Sequence, residues 1–442
     1  MNKFYHWVLL IGGFSVSASV YGDADQYISE VEYIEQLQNA KVWEPVNTPE
    51  FDIVKDIPGP RELQSTRDAN GNIIKPVIEC RFREPKAAKV GGKSAKFNCD
   101  SMTPIKGKTG KKLKVKYDPI YLLPSGSPLL PPQGYNGEVY SEVAATRLLT
   151  ALGFKADHMF PATVICFNCP AEPFSYITKP ELRKTMQRVE KLVIESAAIE
   201  IKAAGEELGT PIYDAVGKVV KDEFDEDVYR KIGWGLDEVR TGVGASTDGE
   251  QQLYREALVA LLGILQHADN KASNQRLLCT DWDKRTDFCH ESYLVAQDVG
   301  SLFGKGVDVV GDVLLGRRPS MSKYDWSQWN SVPVWKNADR CELKVNTIPF
   351  VNLTSHFAEN NTFEIKQISV EARDFLLSLL DQLSDQQLLD LFLLAQTDLR
   401  MESYRSNLFS PLQTVTADHW VSTFKRKRDE LATASCRNGR SK

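Results

Sequence analysis

The pattern of hydrophobic and polar residues predicts a group of strands in the first half of the chain. Three segments place β-branched and aromatic residues between polar ones: PVIECRFRE (76–84), SAKFNCD (94–100) and KKLKVKY (111–117). Loops rich in glycine and lysine separate these segments, as is typical of short strands joined by turns. A fourth segment, FPATVICF (160–167), has the same texture and predicts another strand.

Helical spacing predominates in other parts of the chain. GEVYSEVAATRLLTALGF (137–154) repeats its apolar residues near the helical period and predicts a helix that stops at Gly153. A strongly apolar helix is predicted from residue 254 to residue 266. Two amphipathic helices follow nearer the C-terminus, and Ser369 and Ser384 are their candidate N-caps.

The order of the predicted elements indicates the fold class. The remaining elements are a helix from Gln26 to Asn39, a proline-rich loop at 122–134, charged and mostly helical residues at 180–250, strands at 276–278 and 292–297, and an irregular tryptophan-rich region at 305–365. Strands, one helix, more strands and then mostly helices predict an α+β fold, in which a small β-rich lobe joins a larger helical lobe.

The same changes in texture set the expected domain boundaries. These are a signal peptide at 1–22, an N-terminal extension and linker at 23–74, a β-rich lobe with one helix at 75–170, a helical lobe at 171–420 and a basic tail at 421–442.

The N-terminus predicts export. Lys3 precedes an apolar run from Trp7 to Val20 that is short for a membrane span, and small residues follow it, so we expect cleavage after Gly22. No later run approaches the roughly 20 apolar residues of a membrane helix, so no stable membrane anchor is expected. The mature protein is expected to be periplasmic or secreted. Its net charge of −5 argues against a general nucleic-acid binder.

The eight cysteines fit an oxidising compartment. The candidate disulfide pairs are Cys279 with Cys289, Cys80 with Cys99, Cys166 with Cys169, and Cys341 with Cys436. The first pair would close a hairpin between two predicted strands. The sequence CFNCP, which holds Cys166 and Cys169, is also compatible with a redox pair or half of a zinc site.

In the segment ILQHADNKASNQRLL (264–278), Asp269, Lys271 and Asn274 follow directly after the apolar helix. Phosphoryl transfer needs phosphates and a divalent metal held in place, and a hydroxyl nucleophile that is oriented and relieved of its proton. Asp269 would be the base, and Lys271 would face the transferring phosphate. Asn274 and Asp298, the latter at the end of a β-prone run, offer the oxygen ligands that suit Mg²⁺, with Mn²⁺ as an alternative.

Residues upstream could hold the phosphates of ATP. Lys116, at the end of the third predicted strand, could neutralise α- and β-phosphates if a carboxylate positions it. Glu142 on the following helix is the candidate partner, and Glu138, one turn earlier on the same face, is the alternative. Gly91 and Gly92 would let backbone N–H groups approach a phosphate.

Each of these features is common in unrelated proteins when it occurs alone. A strand lysine is usually exposed, two adjacent glycines usually form a turn, and His267 is expected to pack behind the loop rather than bind a ligand. The succession is the informative observation: glycine loop, strand lysine, helix glutamate, apolar helix, H-x-D-x-K-x-x-N, strand and D-x-G.

This succession resembles the protein-kinase superfamily. HADNKASN has the layout of the protein-kinase catalytic loop, and QDVG resembles the metal-binding D-F-G turn. GGKSAKF with LKVKY is similar to the glycine loop and strand lysine of HipA-type kinases. EVAATRLLTALGF is similar to a helix of secretory-pathway secreted kinases, which favours Glu142 over Glu138. The same motifs also resemble a group of exported bacterial proteins.

The resemblance implies a two-lobed kinase-like fold over roughly residues 75–400. It implies that Lys116 and Glu142 form an ion pair, that Asp269 is the base, and that Asn274 and Asp298 are metal ligands. The chain departs from typical kinases because it has no G-x-G-x-x-G and no A-P-E after the D-x-G. Lys271 favours a protein-type acceptor.

Three functions are compatible with these features. The first is an exported atypical kinase that transfers the γ-phosphoryl group of ATP to a hydroxyl of a protein, glycan or small molecule. The second is a non-catalytic kinase-fold binding protein, which the scarcity of ATP outside the cytoplasm favours. The third is a redox or zinc protein centred on CFNCP. The oligomeric state stays open.

Overall fold

The computed structural model describes residues 26–85, 94–119, 136–211, 229–231, 233–267, 274–307, 321–344, 367–397, 403–404 and 413–436. The expected signal peptide (1–22) and the proline-rich segment (122–134) lie outside these ranges. The helices are α1 (Glu30–Asn39), α2 (Glu138–Ala151), α3 (Pro173–Thr178), α4 (Leu236–Thr241), α5 (Gly249–Ile264), α6 (Trp326–Ser331), α7 (Val370–Leu380), α8 (Asp385–Leu394) and α9 (Ala417–Ala432). Short 3₁₀ turns lie at Thr48–Glu50, Arg61–Leu63, Pro180–Lys184 and Ala338–Arg340.

The strands in the described ranges are mostly short. They are β1 (Gln26–Tyr27), β2 (Thr66–Arg67), β3 (Ile73–Ile74), β4 (Val77–Phe82), β5 (Lys96–Ser101), β6 (Lys112–Tyr117), β7 (His158–Pro170), β8 (Arg188–Ile201), β9 (Glu206–Pro211), β10 (Tyr229–Lys231), β11 (Gln275–Asp283), β12 (Phe288–Ala296), β13 (Lys305–Val307), β14 (Met321–Lys323), β15 (Trp335–Asn337), β16 (Glu342–Leu343), β17 (Ser403–Tyr404) and β18 (Gln413–Thr414). Helices and strands together confirm the α+β class.

Five strands close into a barrel in the order β4, β5, β6, β8, β7. Strand β4 runs parallel to β7, and the other pairs are antiparallel. Alternate residues of β4, namely Ile78, Cys80 and Phe82, are buried in the barrel, whereas their neighbours are exposed. The period-two pattern that predicted β4, β5 and β6 therefore reflects one face inside the barrel and one face outside it.

Strand β8 corrects the expectation that residues 180–250 are mostly helical. Most of the segment from 188 to 211 is extended, and among the described residues after 188 the first α-helix is α4. Charged residues such as Glu190, Lys191 and Glu195 occupy exposed positions of β8. A register shift opposite Ala162 and Val164 interrupts the alternation, which obscured the strand pattern. The barrel extends to residue 201, past residue 170, where the sequence analysis ends the β-rich lobe.

A second and larger hydrophobic core involves α2, α5, α7, α8 and α9. At its centre the rings of Tyr324 and Trp420 stack with centroids 4.3 Å apart, and Phe303 and Trp329 pack beside them. The tryptophans of the region expected to be irregular thus contribute to a core. The predicted N-caps are confirmed, because the Ser369 hydroxyl accepts a hydrogen bond from the N–H of Ala372 and Ser384 forms a capping box.

The stop of α2 at Gly153 is also confirmed. Gly153 has a φ of 88°, a left-handed conformation that glycine adopts without steric cost. The backbone here turns tightly enough that the N–H of Glu44 bonds to the carbonyl of Gly153 at 3.0 Å. This turn directs the chain from α2 into β7.

The N-terminal segment, which the sequence analysis treats as an extension and linker, packs into the larger core. Tyr33, Leu37 and Val42 are fully buried there. The buried guanidinium of Arg255, on α5, donates hydrogen bonds to the carbonyls of Leu37 and Ala40, both at 2.8 Å. The segment after α1 is therefore held by α5 through charge-assisted hydrogen bonds.

The expected basic tail contributes to the same core. Helix α9 extends to Ala432, and its Trp420, Phe424 and Leu431 are buried. Lys427 is also buried and donates a hydrogen bond to the carbonyl of Val332 at 2.6 Å. The segment from 417 to 432 is thus a packed helix rather than a tail.

Disulfides link the four cysteine pairs named from the sequence: Cys80–Cys99, Cys166–Cys169, Cys279–Cys289 and Cys341–Cys436. No cysteine of the chain is left as a free thiol. The cysteines of CFNCP are thus not available as zinc ligands in this structure. Within the described residues, no helix is both long and apolar enough to span a membrane.

We predict that Arg255→Met destabilises the protein by about 2–4 kcal/mol, because it leaves buried carbonyl acceptors without donors. Urea unfolding of the mature protein measures the loss. The control is Arg285→Met, since the side chain of Arg285 is 86% exposed. Equal stability of the two variants would show that Arg255 does not hold the N-terminal segment.

Candidate functional site

The candidate site lies on the outer face of the barrel, where β6 faces α2. Leu113, Val115 and Tyr117 of β6 point into the barrel core, so the alternating residues Lys114 and Lys116 lie on the opposite face. Lys116 is nevertheless only 4% exposed. A lysine buried to this extent needs opposite charges around it.

Carboxylates from three separate elements surround the ammonium of Lys116. Glu142, on α2, forms a direct ion pair with it. The carboxylates of Glu200 on β8 and of Asp298, after β12, lie 3.6 and 3.7 Å from its Nζ. Glu200 also binds Lys114 at 2.6 Å. We call Lys114, Lys116, Glu142, Glu200 and Asp298 the charge cluster.

Glu138, the alternative partner of Lys116, lies one turn before Glu142 and packs against Gly300. A Cβ at Gly300 would lie 2.7 Å from Cγ of Glu138 and 3.1 Å from Cγ of Glu142. Any larger residue at 300 would push the turn away from α2. Glycine is therefore required for the D-V-G turn to approach the helix, and this approach brings Asp298 to Lys116.

Further hydrogen bonds fix the D-V-G turn. The hydroxyl of Ser141, on α2, donates to the carbonyl of Leu302 at 2.8 Å. Nδ1 of the buried His267 lies 2.9 Å from Oγ of Ser301. His267, expected to pack behind the loop, thus connects the end of the α5 segment to the turn that carries Asp298.

Asn274 and Asp298 lie at adjoining strand ends. In the β11–β12 hairpin Gln275 faces Ala296, and one residue further the N–H of Gln297 bonds to the carbonyl of Asn274 at 3.1 Å. The register therefore brings the backbones at Asn274 and Asp298 to the same end of the hairpin. Asn274 is 5% exposed, whereas the Asp298 side chain is 39% exposed and open to solvent.

Four of the residues proposed from the sequence lie outside the described residues. These are Asp269 and Lys271, between 268 and 273, and Gly91 and Gly92, between 86 and 93. The described flanks of the first segment bond to the chain on either side of Asp298: Asn274 to Gln297, and His267 to Ser301. The two ends of this segment are therefore held close to the charge cluster.

Burial and charge shift the pKa values of the cluster in different directions. Burial alone would lower the pKa of Lys116, but the surrounding carboxylates outweigh it and raise the pKa above its ordinary value. Burial raises the pKa of Glu142 to about 7, despite the opposing charge of Lys116. Burial would also raise the pKa of Asp298, yet the charge of Lys116 outweighs this effect and the pKa is lowered to about 2. Asp298 is therefore ionised at neutral pH and available to a cation.

The sequence analysis did not identify Glu200. Its side chain is 8% exposed, and its pKa is lowered because Lys116 and Lys114 outweigh the effect of burial. The available signal was its place in the alternation of β8, one residue after the buried Ile199. The exposed charged residues and the register shift of β8 obscure that alternation, so the sequence predicts helix there.

The residues expected to bind Mg²⁺ are Asp298, at the edge of the charge cluster, and Asn274, on the adjoining strand end. They would offer a carboxylate and a carboxamide oxygen. Magnesium is commonly held by one or two protein carboxylates together with substrate phosphates and water. Within the described residues no group of three or more His, Cys, Asp or Glu forms a metal site.

Comparison with known proteins gives little further information. No protein-family model matches the chain, and no curated protein matches it. Among solved structures, the chain is similar to the crystal structure of a Helicobacter pylori proinflammatory kinase, CtkA, at 13% identity and a TM-score of 0.33. The similarity covers 82% of this chain and 95% of the Helicobacter pylori chain. A TM-score this low carries no argument about fold or chemistry.

We predict that Glu142→Gln changes the pH dependence of stability. The pKa of Glu142 is about 7 in the folded protein, whereas in the unfolded chain it lies near the ordinary value of 4.5. Between these values the folded state binds more protons, so this carboxyl makes stability fall as pH rises. The variant lacks this effect, so its stability relative to wild type should increase from pH 5 to pH 7.

Urea unfolding at intervals from pH 5 to pH 8 measures this difference. Glu195→Gln, an exposed position on β8, is the control and should give a constant difference. A constant difference for Glu142→Gln as well would show that Glu142 titrates like an exposed glutamate.

Proposed function

We propose that this protein is an exported atypical kinase with a two-lobed protein-kinase-like fold. The observation that supports this most strongly is the convergence of Lys116, Glu142 and Asp298. Lys116 lies on barrel strand β6, Glu142 on α2 of the larger core, and Asp298 in the turn after β12. They follow one another along the chain in the same order as the corresponding residues of a kinase site. The charge cluster lies between the barrel and the larger core, at the place where a cleft between two lobes would hold a nucleotide.

The proposed binding roles follow from the positions of the described residues. Glu142 holds the ammonium of Lys116 in place, and Lys116 neutralises the α- and β-phosphates of ATP. Mg²⁺, when bound through Asp298 and Asn274, would neutralise charge on the phosphates, and Mn²⁺ offers the same chemistry. The backbone N–H groups of Gly91 and Gly92 would contact phosphate oxygens.

The proposed transfer step assigns roles to residues between His267 and Asn274. The carboxylate of Asp269 orients the acceptor hydroxyl and takes its proton, and Lys271 faces the γ-phosphoryl group. The acceptor oxygen forms a bond to the γ-phosphorus as the bond from that phosphorus to the bridging oxygen breaks, so ADP leaves. The acceptor is a hydroxyl of a protein, glycan or small molecule.

Export is supported by the disulfides. Four disulfides fit an oxidising compartment, where such bonds persist. We therefore propose that the protein acts in the periplasm or after secretion, and that it meets ATP there or in a cell that it enters.

We predict that Mg²⁺–ATP binds the mature protein and that Asp298→Asn abolishes the magnesium-dependent part of the affinity. Isothermal titration calorimetry with and without Mg²⁺ measures both. Asp281→Asn, an exposed aspartate of the same hairpin, is the matched control and should bind like wild type. Absence of nucleotide binding in the wild type would contradict the proposed function.

We predict that Asp269→Asn keeps nucleotide affinity but slows transfer roughly 10²–10⁴-fold, the range expected for losing a general base. Incubation with γ-labelled ATP and candidate extracts, followed by detection of labelled acceptors, measures transfer. Nucleotide binding without any transfer by the wild type would favour the non-catalytic binding protein. Full transfer by the variant would contradict the role of Asp269.

A further inference from the structure

Lys96 lies on the same face of the barrel as the charge cluster. In the β5–β6 pairing Lys96 is directly opposite Lys116, and Lys114 is two residues away on β6. Residues of β5 alternate like those of β6, with Phe97 and Cys99 inside the barrel. Lys96 therefore projects from the outer face beside Lys116, on the side that faces α2 and the D-V-G turn.

The position of Lys96 is electrostatically unfavourable in the free protein. Like charges directly opposite each other on antiparallel strands destabilise the pairing. Lys116 and Lys114 each have carboxylate partners, as described above, whereas the ammonium of half-buried Lys96 forms no ion pair or hydrogen bond in the part of the chain that the structure describes. Burial and the two neighbouring lysines lower its pKa, and Asp298 and Glu200 oppose this only in part.

The ligand that would relieve this position is an extended anion. If Asp298 is engaged with a metal, Glu142 and Glu200 are the carboxylates among the described residues that are left to compensate Lys96, Lys114 and Lys116. Opposite residues on paired strands lie about 5 Å apart, so two ammonium groups can reach different oxygens of one polyphosphate chain. Lys96 also lies at the start of β5, directly after the segment that contains Gly91 and Gly92.

We propose that Lys96 is a second phosphate-binding residue of this site, which contacts the phosphate chain of the nucleotide beside Lys116. This inference rests on the proposed function, because it assigns the polyphosphate of ATP as the anion. It also explains why half-buried Lys96, for which the described residues offer no ion-pair partner, lies beside two other lysines: the site is arranged to bind an anion.

The test compares Lys96→Met with Lys112→Met, an exposed lysine on the same face of β6. Affinities for Mg²⁺–ATP by calorimetry and for adenosine by NMR titration are measured on the mature protein. Lys96→Met is expected to weaken ATP binding roughly tenfold or more, the loss expected for a charge-assisted hydrogen bond, and to leave adenosine binding unchanged. Lys112→Met should change neither affinity, and Lys96→Arg should restore most of the ATP affinity.

Thermal unfolding without nucleotide separates a binding role from a structural one. Because Lys96→Met removes like-charge repulsion, the variant should unfold at the same or a higher temperature than wild type. Unchanged ATP affinity in Lys96→Met would overturn the role of Lys96 but leave the proposed function intact. Lower stability with equal losses for ATP and adenosine would also overturn it, since Lys96 would then be structural. No nucleotide binding by the wild type would overturn the proposed function, and this inference with it.

Discussion

The structure of the site depends on the removal of one ammonium group from water. An ion transferred into a protein interior loses hydration worth several kcal/mol, so Lys116 can be buried only with opposite charges in contact. Those charges come from α2, β8 and the turn after β12. Compensation of the Lys116 ammonium therefore brings together elements that are distant along the chain. Removing one carboxylate would leave the buried ammonium of Lys116 less well compensated by the other two.

The two hydrophobic cores provide the frame for this cluster. The inward residues of β6 anchor Lys116 to the barrel, whereas the buried residues of α2 anchor Glu142 to the larger core. Gly300 allows the turn of Asp298 to touch α2. Near Asn274, the buried Arg276 of β11 forms an ion pair with Asp157, in the connection from α2 to β7. The end of β11 is thus tied to the connection that follows α2.

The sequence predicted the parts of this arrangement that depend on local pattern. Alternation identified β4, β5 and β6, helical spacing and Gly153 defined α2, and the motif order singled out Lys116 with Glu142. Strand β8 and its Glu200 were missed, since dense surface charge and a bulge mask the period of two. The packing of residues 28–54 and of α9 was missed because it depends on tertiary contacts, such as those of Arg255, that no local pattern reveals. The assignments of Asp269, Lys271, Gly91 and Gly92 remain predictions, as do the nucleotide-binding role of Lys116 with Glu142 and the metal-binding role of Asn274 with Asp298.

The most direct measurement of the central claim is a crystal structure of the mature protein with Mg²⁺ and a non-hydrolysable ATP analogue. The account predicts a phosphate oxygen within hydrogen-bonding distance of Nζ of Lys116, with the Lys116–Glu142 pair intact and the metal bound to Asp298 and Asn274. A nucleotide bound elsewhere on the molecule, or a metal that leaves Asp298 paired only with Lys116, would contradict it.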